Sequence, residues 1–308
     1  MLSRLQIRRA ASSGPSRQAE APGRCRVAAI AIIAMTAIGC DVNAALEQLV
    51  EARRHAAELL VQFTKAADAA NRAVMADTDE ASVSFARESE EATQAVQTEI
   101  DRLRPILQGL RFSEEIRLLD AFVARFAEYH RLDRQMLDLA VENTNLKAQR
   151  LAFGPAQEAA DQFRDSLEAV APASPANAWR IEALVAKAVL TVREIQVLQA
   201  PHIADADEAV MTRMEKSMAA SEESARTALK TLAGLIQPAS RPRHAAAAAA
   251  LDRFMDLNAQ IIALSRRNTN VRSLALSLNQ KRPLTAACEE SLRALQEALA
   301  KRGFTGTR

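Results

Sequence analysis

The sequence is short of the residues that make turns, strands and redox or metal sites. Among 308 residues there are only 8 Gly, 10 Pro, 3 Cys, one Trp and one Tyr, and aromatic side chains make up just 4%. So few turn formers and bulky strand residues exclude a β-sandwich or barrel, which needs frequent reversals. The four histidines (His55, His130, His202, His244) are scattered, with no His-x-x-x-His or Glu-x-x-His pair, so no metal site is expected. His202 and Asp205 stand three apart, but beside Pro201 they read as a helix start. A haem-attachment Cys pair, a P-loop and a Gly-x-Gly-x-x-Gly turn are missing, and no Ser-x-x-Lys occurs in a convincing context. Neither a catalytic residue nor a cofactor is therefore expected. A lone Trp and a lone Tyr give little from which to build an aromatic cage for a quaternary amine.

An excess of one charge is missing too. The net charge is +2, but residues 1–39 hold six Arg and a single acid, Glu20. Residues 40–308 carry 34 basic and 37 acidic side chains with the signs interspersed. That offers no electrostatic footprint for nucleic acid.

What is present is 49% apolar residues and 25% charged ones, dominated by Ala, Leu, Glu, Gln, Arg and Ser. Those are helix formers with polar outer faces, in ample supply for a core. The chain reads as all-α.

At the N-terminus, Arg24 and Arg26 precede the apolar run Val27–Ile38, which ends in Gly39-Cys40-Asp41. Twelve residues rise only ~18 Å as a helix, against ~30 Å of bilayer hydrocarbon, so the run suits a signal peptide better than a membrane span. Ala37-Ile38-Gly39-Cys40 resembles the lipobox of bacterial lipoproteins. That resemblance implies cleavage after residue 39, lipidation of Cys40 and, through Asp41, retention at the periplasmic face of the inner membrane. The alternatives are an ordinary secretory signal, giving a soluble periplasmic protein, or an uncleaved N-terminal helix as anchor. Cys25 leaves with the leader, and Cys288, with no internal partner, is expected to be a small buried residue.

The mature chain repeats itself. Leu139–Leu146 returns as Leu264–Val271, both containing Asn-Thr-Asn, at an offset of 125. Ala73-Val74-Met75 matches Ala209-Val210-Met211 at 136, and the Ser-Glu-Glu at Ser89 matches that at Ser221 at 132. Helices are expected at about 43–103, 113–170, 177–236 and 244–301, with Pro105 and the pair Pro238 and Pro242 at the turns. The fold expected is an up-down-up-down four-helix bundle built from two duplicated long helical hairpins. Its parts are a signal peptide (1–39), a first hairpin (40–170), a Pro-rich linker (171–178), a second hairpin (179–301) and a tail (302–308). Gly154-Pro155, Pro201 and Pro283 would interrupt the helices at one common level, and Trp179 would pack against the linker.

Stepping by three or four, one stripe reads Phe126, Tyr129, Leu132, Met136, Leu139, Asn143, Leu146, Arg150, Phe153. Its repeat reads Leu251, Phe254, Leu257, Ile261, Leu264, Asn268, Val271, Ala275, Leu278. Nearly every position is apolar in both, but Asn143 and Asn268 interrupt the two seams at one layer, with the stretches Asp77–Glu80 (Asp77, Asp79) and Thr212–Glu215 (Thr212) roughly opposite. A buried amide without partners costs about 1–3 kcal/mol, so something must satisfy each. The layer is either a device fixing helix register or a polar ligand pocket between helices. A slightly rotated helix would instead expose the amides.

The duplicated hairpins, the AVM and NTN helices and the run Leu274–Leu299 together resemble the four-helix-bundle ligand-binding domain of methyl-accepting chemotaxis receptors. The resemblance covers about residues 44–300 and rests on architecture more than on an invariant motif. It implies a periplasmic sensor module, a homodimer and a signalling partner in the membrane. The family's second transmembrane helix, HAMP module and methylated hairpin have no counterpart here, and its ligand-contacting arginines cannot be placed. The expectation is a non-catalytic, lipid-anchored binding module, with a structural or scaffolding lipoprotein as the alternative.

Overall fold

In the computed structural model the described residues are 28–171 and 174–303, with side chains from Asn43 onward. The expected leader up to residue 27 and the tail beyond 303 lie outside them. Residues 1–48 form one unit and Leu49–Arg308 another. Of the first, the described part is the start of helix α1, whose backbone carries Cys40 while that side chain lies outside the described ones. Among the described residues no helix is long and apolar enough to cross a membrane.

The expected all-α bundle is present, and no strand occurs among the described residues. Its helices are α1 (Ala28–Met75), α2 (Asp79–Gly109), α3 (Ser113–Glu142), α4 (Thr144–Leu151), α5 (Gln157–Glu168), α6 (Ala178–Ala204), α7 (Glu208–Ala233), α8 (Arg241–Arg267), α9 (Thr269–Leu276) and α10 (Arg282–Lys301). Each copy therefore contributes three segments where two were expected. The helix expected over 43–103 reverses after Met75, because Thr78 caps α2 by accepting the Ala81 N–H at 3.1 Å, with Asp79 and Glu80 in the first turn. The helix expected over 177–236 reverses after Ala204, where Asp207 accepts the N–H groups of Ala209 and Val210. Pro105 sits inside α2, so that turn comes later, at 110–112, with Arg111 left-handed.

The expected breaks at Gly154-Pro155 and Pro283 are not breaks. Single π-turns, Ala152–Ala156 and Ser277–Lys281, carry the chain through them. The wider turn accommodates a proline that cannot donate to the ladder. The real interruptions are Asn143 (φ 49°) and Asn268 (φ 53°), each left-handed between two helices.

Within Leu49–Arg308 the buried side chains gather mainly in two four-helix clusters. One joins α1, α2, α3 and α10 around Phe63, Ile100, Phe122 and Leu292. The other joins α4–α5, α6, α7 and α8 around Phe163, Ile195, Leu229 and Phe254. The runs 113–168 and 241–301 each contribute to both clusters, tying the two layers together.

The duplication is more regular than the short matches suggested. Along the long runs the offset stays at 125: Phe122/Ala247, Phe126/Leu251, Tyr129/Phe254, Met136/Ile261, Phe163/Cys288 and Leu167/Leu292 are buried in both copies. Through the hairpins it is 129, pairing Phe63 with Val192, Ile100 with Leu229 and Leu103 with Leu232. The AVM match at 136 is fortuitous, since Ala73–Met75 ends α1 whereas Ala209–Met211 opens α7.

Candidate functional site

At the crossing of the two long runs, left-handed Asn143 and Asn268 each break a helical ladder. The break frees the first N–H groups of α4 and α9. Those donors are capped from the opposite run. Thr144 N–H donates to Thr269 Oγ1 and Thr269 N–H to Thr144 Oγ1, both at 3.1 Å. Asn145 N–H donates to Asn270 Oδ1 at 3.1 Å, and Asn270 N–H returns to Asn145 Oδ1 at 3.2 Å. The amides add two links across the crossing: Asn145 Nδ2 donates to Asn268 Oδ1 (2.8 Å), and Asn270 Nδ2 to Asn143 Oδ1 (2.9 Å), while Asn143 Nδ2 is buried without a partner among the described residues. Asn268 Nδ2 also reaches the Asp205 carbonyl at 2.7 Å.

Both sequence-expected asparagines are thus buried and brought together, and the rotated, exposed alternative is corrected. The other candidates do not join them. Asp77 lies exposed in the turn before α2. Asp79 pairs with Arg150 at 3.0 Å. Thr212 accepts from Arg266 Nη2 at 2.7 Å and donates to the Glu208 carbonyl. Neither asparagine lies in the wall of the grooves between α1 and α10, between α2 and α3, or along α6.

The expected stripes hold up to the crossing and fail after it. Arg150, Phe153, Ala275 and Leu278 are exposed, while Ala148, Ala152 and Ala156 in one run, and Ser273, Ser277 and Lys281 in the other, face inward. The left-handed residue resets the helical phase, and the π-turn keeps every fourth residue on the core side. Trp179, expected on the linker, is exposed.

That phase shift buries a lysine. Lys281, at the end of the second π-turn, is 1% exposed and its Nζ stands 2.5 Å from Asp133 Oδ1. Around the pair, Ser89 Oγ lies 3.3 Å from Asp133 Oδ2 and the Tyr129 ring 5.1 Å from Nζ. Tyr129 OH and Thr93 Oγ1 are buried without a hydrogen-bond partner among the described residues. Burial lowers the Lys281 pKa below its ordinary value, with the Asp133 carboxylate pulling the other way. Burial pushes the Tyr129 phenol well above its usual value, and the nearby Asp133 charge adds to that.

Two grooves flank the pair. One, of about 440 Å³ between α1 and α9–α10, has Asn71, Ser277 and Lys281 in its wall and Val74, Met75, Leu274 and Leu278 as an apolar lip. The other, of about 370 Å³ between α2 and α3, contains Thr93, Asp133, His130 and Arg134.

No family model matches the sequence, nor does any curated protein or solved structure. The assignment of the site therefore rests on geometry.

The second layer has no such pair. The positions equivalent to Asp133 and Lys281 are Asn258 and Ala156, and Asn258 Oδ1 accepts from Gln199 Nε2 at 2.9 Å. Near its inner end His202 Nδ1 lies 2.6 Å from Ser265 Oγ, and its Nε2 lies 2.9 Å from Glu215. This has the order of a nucleophile, base and orienting acid, but Ser265 and His202 are fully buried, so no substrate carbonyl reaches the hydroxyl. Arg266 holds Glu215 through two hydrogen bonds, at 2.7 and 2.9 Å. Among the described residues no cluster of His, Cys, Asp and Glu could hold a metal.

Sequence reasoning missed Asp133, Lys281 and Ser265; it placed Tyr129 only in the core stripe and Glu215 only in the stretch opposite the asparagines. A signal did exist for two of them: extending the offset of 125 along the run sets Asp133 against Asn258 and Lys281 against Ala156.

Proposed function

We propose that this protein is a non-catalytic sensor-like helical module that takes a small molecule in the groove beside Lys281. The observation that carries this reading is the buried Lys281–Asp133 pair in one copy of a duplicated layer whose other copy has Ala156 and Asn258 there. A buried ion pair is weak evidence of stabilisation, since well-packed apolar residues do as well or better. Its presence in only one copy fits a binding role. The polar wall beneath an apolar lip is the usual make-up of a small-molecule pocket.

A ligand reaching Lys281 would contact the π-turn from which α10 continues into the first layer. The same run belongs to the second layer through α8, so an ångström-scale shift has a rigid path between layers. The wider setting, a periplasmic module anchored by lipid on Cys40 and read by a membrane partner, belongs to this proposal and follows the chemoreceptor resemblance.

The closed Asn143/Asn268 layer favours a second reading, a scaffolding protein that binds no small molecule. A thermal-shift screen of amino acids, organic acids and amines separates the two. A ligand at a hundred times its Kd adds about 2.7 kcal/mol, a rise of roughly 5 °C for a domain of this size. The sensor reading expects such a hit, lost in Lys281→Ala and kept in the surface variant Lys216→Ala. Absence of any hit across the panel supports the scaffold.

A further inference from the structure

Helix α6 is apolar on both sides. Its inner side buries Ile181, Ala188, Val192 and Ile195. Its outer side carries Trp179, Ala183, Ala186, Leu190, Val197 and Ala200, spaced by three and four, with Arg193 the one polar residue in the series. Trp179 is 70% exposed, Leu190 60% and Val197 72%. A surface helix with a solvated back should be polar there.

The first copy shows what that face looks like when it meets water. The equivalent positions of α1 are Val50, Arg54, Ala57, Val61, Thr64, Asp68 and Asn71. Arg54, Asp68 and Asn71 thus stand where α6 has Ala183, Val197 and Ala200. The fold does not require an apolar stripe on this side.

We propose that the outer face of α6 pairs with the same face of a second copy, the two helices running antiparallel. The spacing is that of a heptad seam, and antiparallel seams set one core position against the other type. With the two-fold axis at residue 188, Ala186 meets Leu190 of the second copy, Ala183 meets Arg193 and Trp179 meets Val197. Large residues thereby face smaller ones. A parallel pairing would stack Leu190 on Leu190 and Arg193 on Arg193. At one edge the antiparallel register brings Arg180 beside Glu194 of the second copy, twice over by symmetry. Lys187 meets its own copy at the solvated rim, where water screens the repulsion. At the other edge Val189 faces its own copy, beside an apolar groove of about 520 Å³ lined by Leu167, Val170 and Val185. The seam from Trp179 to Val197 runs ~27 Å. This inference does not rest on the Lys281 groove and can fail without affecting it.

Trp179 is the only tryptophan in the sequence, which makes the face its own probe. With the full chain, light scattering across a dilution series is expected to show a dimer that dissociates, with Trp179 emission moving to the red as it does. Leu190→Glu, and separately Val197→Lys, should give a monomer with red-shifted emission at every concentration and an unchanged circular-dichroism melt. Arg180→Glu should weaken the dimer about tenfold, and adding Glu194→Arg should restore it. A monomer at the highest concentration overturns the proposal, as does a dimer indifferent to Leu190→Glu and Val197→Lys. A dimer that is weakened by Lys187→Glu and restored by adding Glu182→Lys overturns the antiparallel register, since those two positions face each other only in a parallel pairing.

Discussion

Thr144 and Thr269 cap each other. The backbone N–H of each donates to the side-chain hydroxyl of the other at 3.1 Å, and the two hydroxyls stand 3.2 Å apart, across 125 residues of sequence. Helix caps are normally local. Here each long run supplies the cap of the other, so neither interruption is satisfied without its counterpart.

Replacing Thr144 by Val keeps the shape but leaves the Thr269 N–H buried without an acceptor. The expected loss is about 1–3 kcal/mol in urea unfolding, with Thr144→Ser close to wild type. Thr144→Val and Thr269→Val together should cost less than the sum of the two, since they break one shared arrangement.

Asn143 and Asn268 need a left-handed backbone, which a residue with a Cβ adopts at a cost and glycine does not. Asn268→Gly should therefore be more stable than Asn268→Ala by about 1 kcal/mol, both falling below wild type because the acceptor for Asn145 Nδ2 is gone. Paired thermal melts check the order.

The Lys281–Asp133 pair can be tested against the molecule's own second copy. Lys281→Ala alone strands a buried carboxylate, and Asp133→Asn alone strands a buried ammonium; each should cost about 3–5 kcal/mol. The double variant recreates the Ala156/Asn258 combination and should be more stable than either single variant. Denaturant midpoints of the three proteins decide it.

Glu215 supplies a pH signature. The hydrogen bond from Arg266 holds its carboxyl below the usual carboxylate range, with burial opposing and His202 assisting. Stability from a lowered carboxylate is fully present above its unfolded pKa of about 4.3 and is lost as pH falls through the lower folded value. Urea midpoints below pH 5 should therefore fall more steeply in wild type than in Glu215→Gln. Equal slopes would contradict this.

Burial pushes the Cys288 thiol up to about 12. The thiolate is the reactive form, so alkylation near neutral pH should spare Cys288 in the native protein and label it in denaturant. Peptide mapping reads the difference.

The repeated Asn-Thr-Asn marks the one place where both copies need the same unusual backbone and the same reciprocal donors, so it was legible by identity alone. The turns at 76–78 and 205–207 were harder to see: Thr78 and Asp207 are ordinary N-caps, and long helix-forming stretches on either side masked them. Lys281 is not legible as a core residue, because a strict three-four stripe runs through Leu278 and puts the lysine outside. Only the left-handed residue and the π-turn, which leave little trace in composition, rotate it into the core.

The tie between the two copies at the crossing is the claim on which the coupling of the layers depends. Its most direct test is a disulfide between Thr144→Cys and Thr269→Cys, read by non-reducing peptide mapping of the folded, full-length chain. Facing side chains at this separation should form the 144–269 bond readily under mild oxidation, within one chain and without loss of helix content. A folded protein in which the two cysteines stay reduced, or link only between chains, would contradict it.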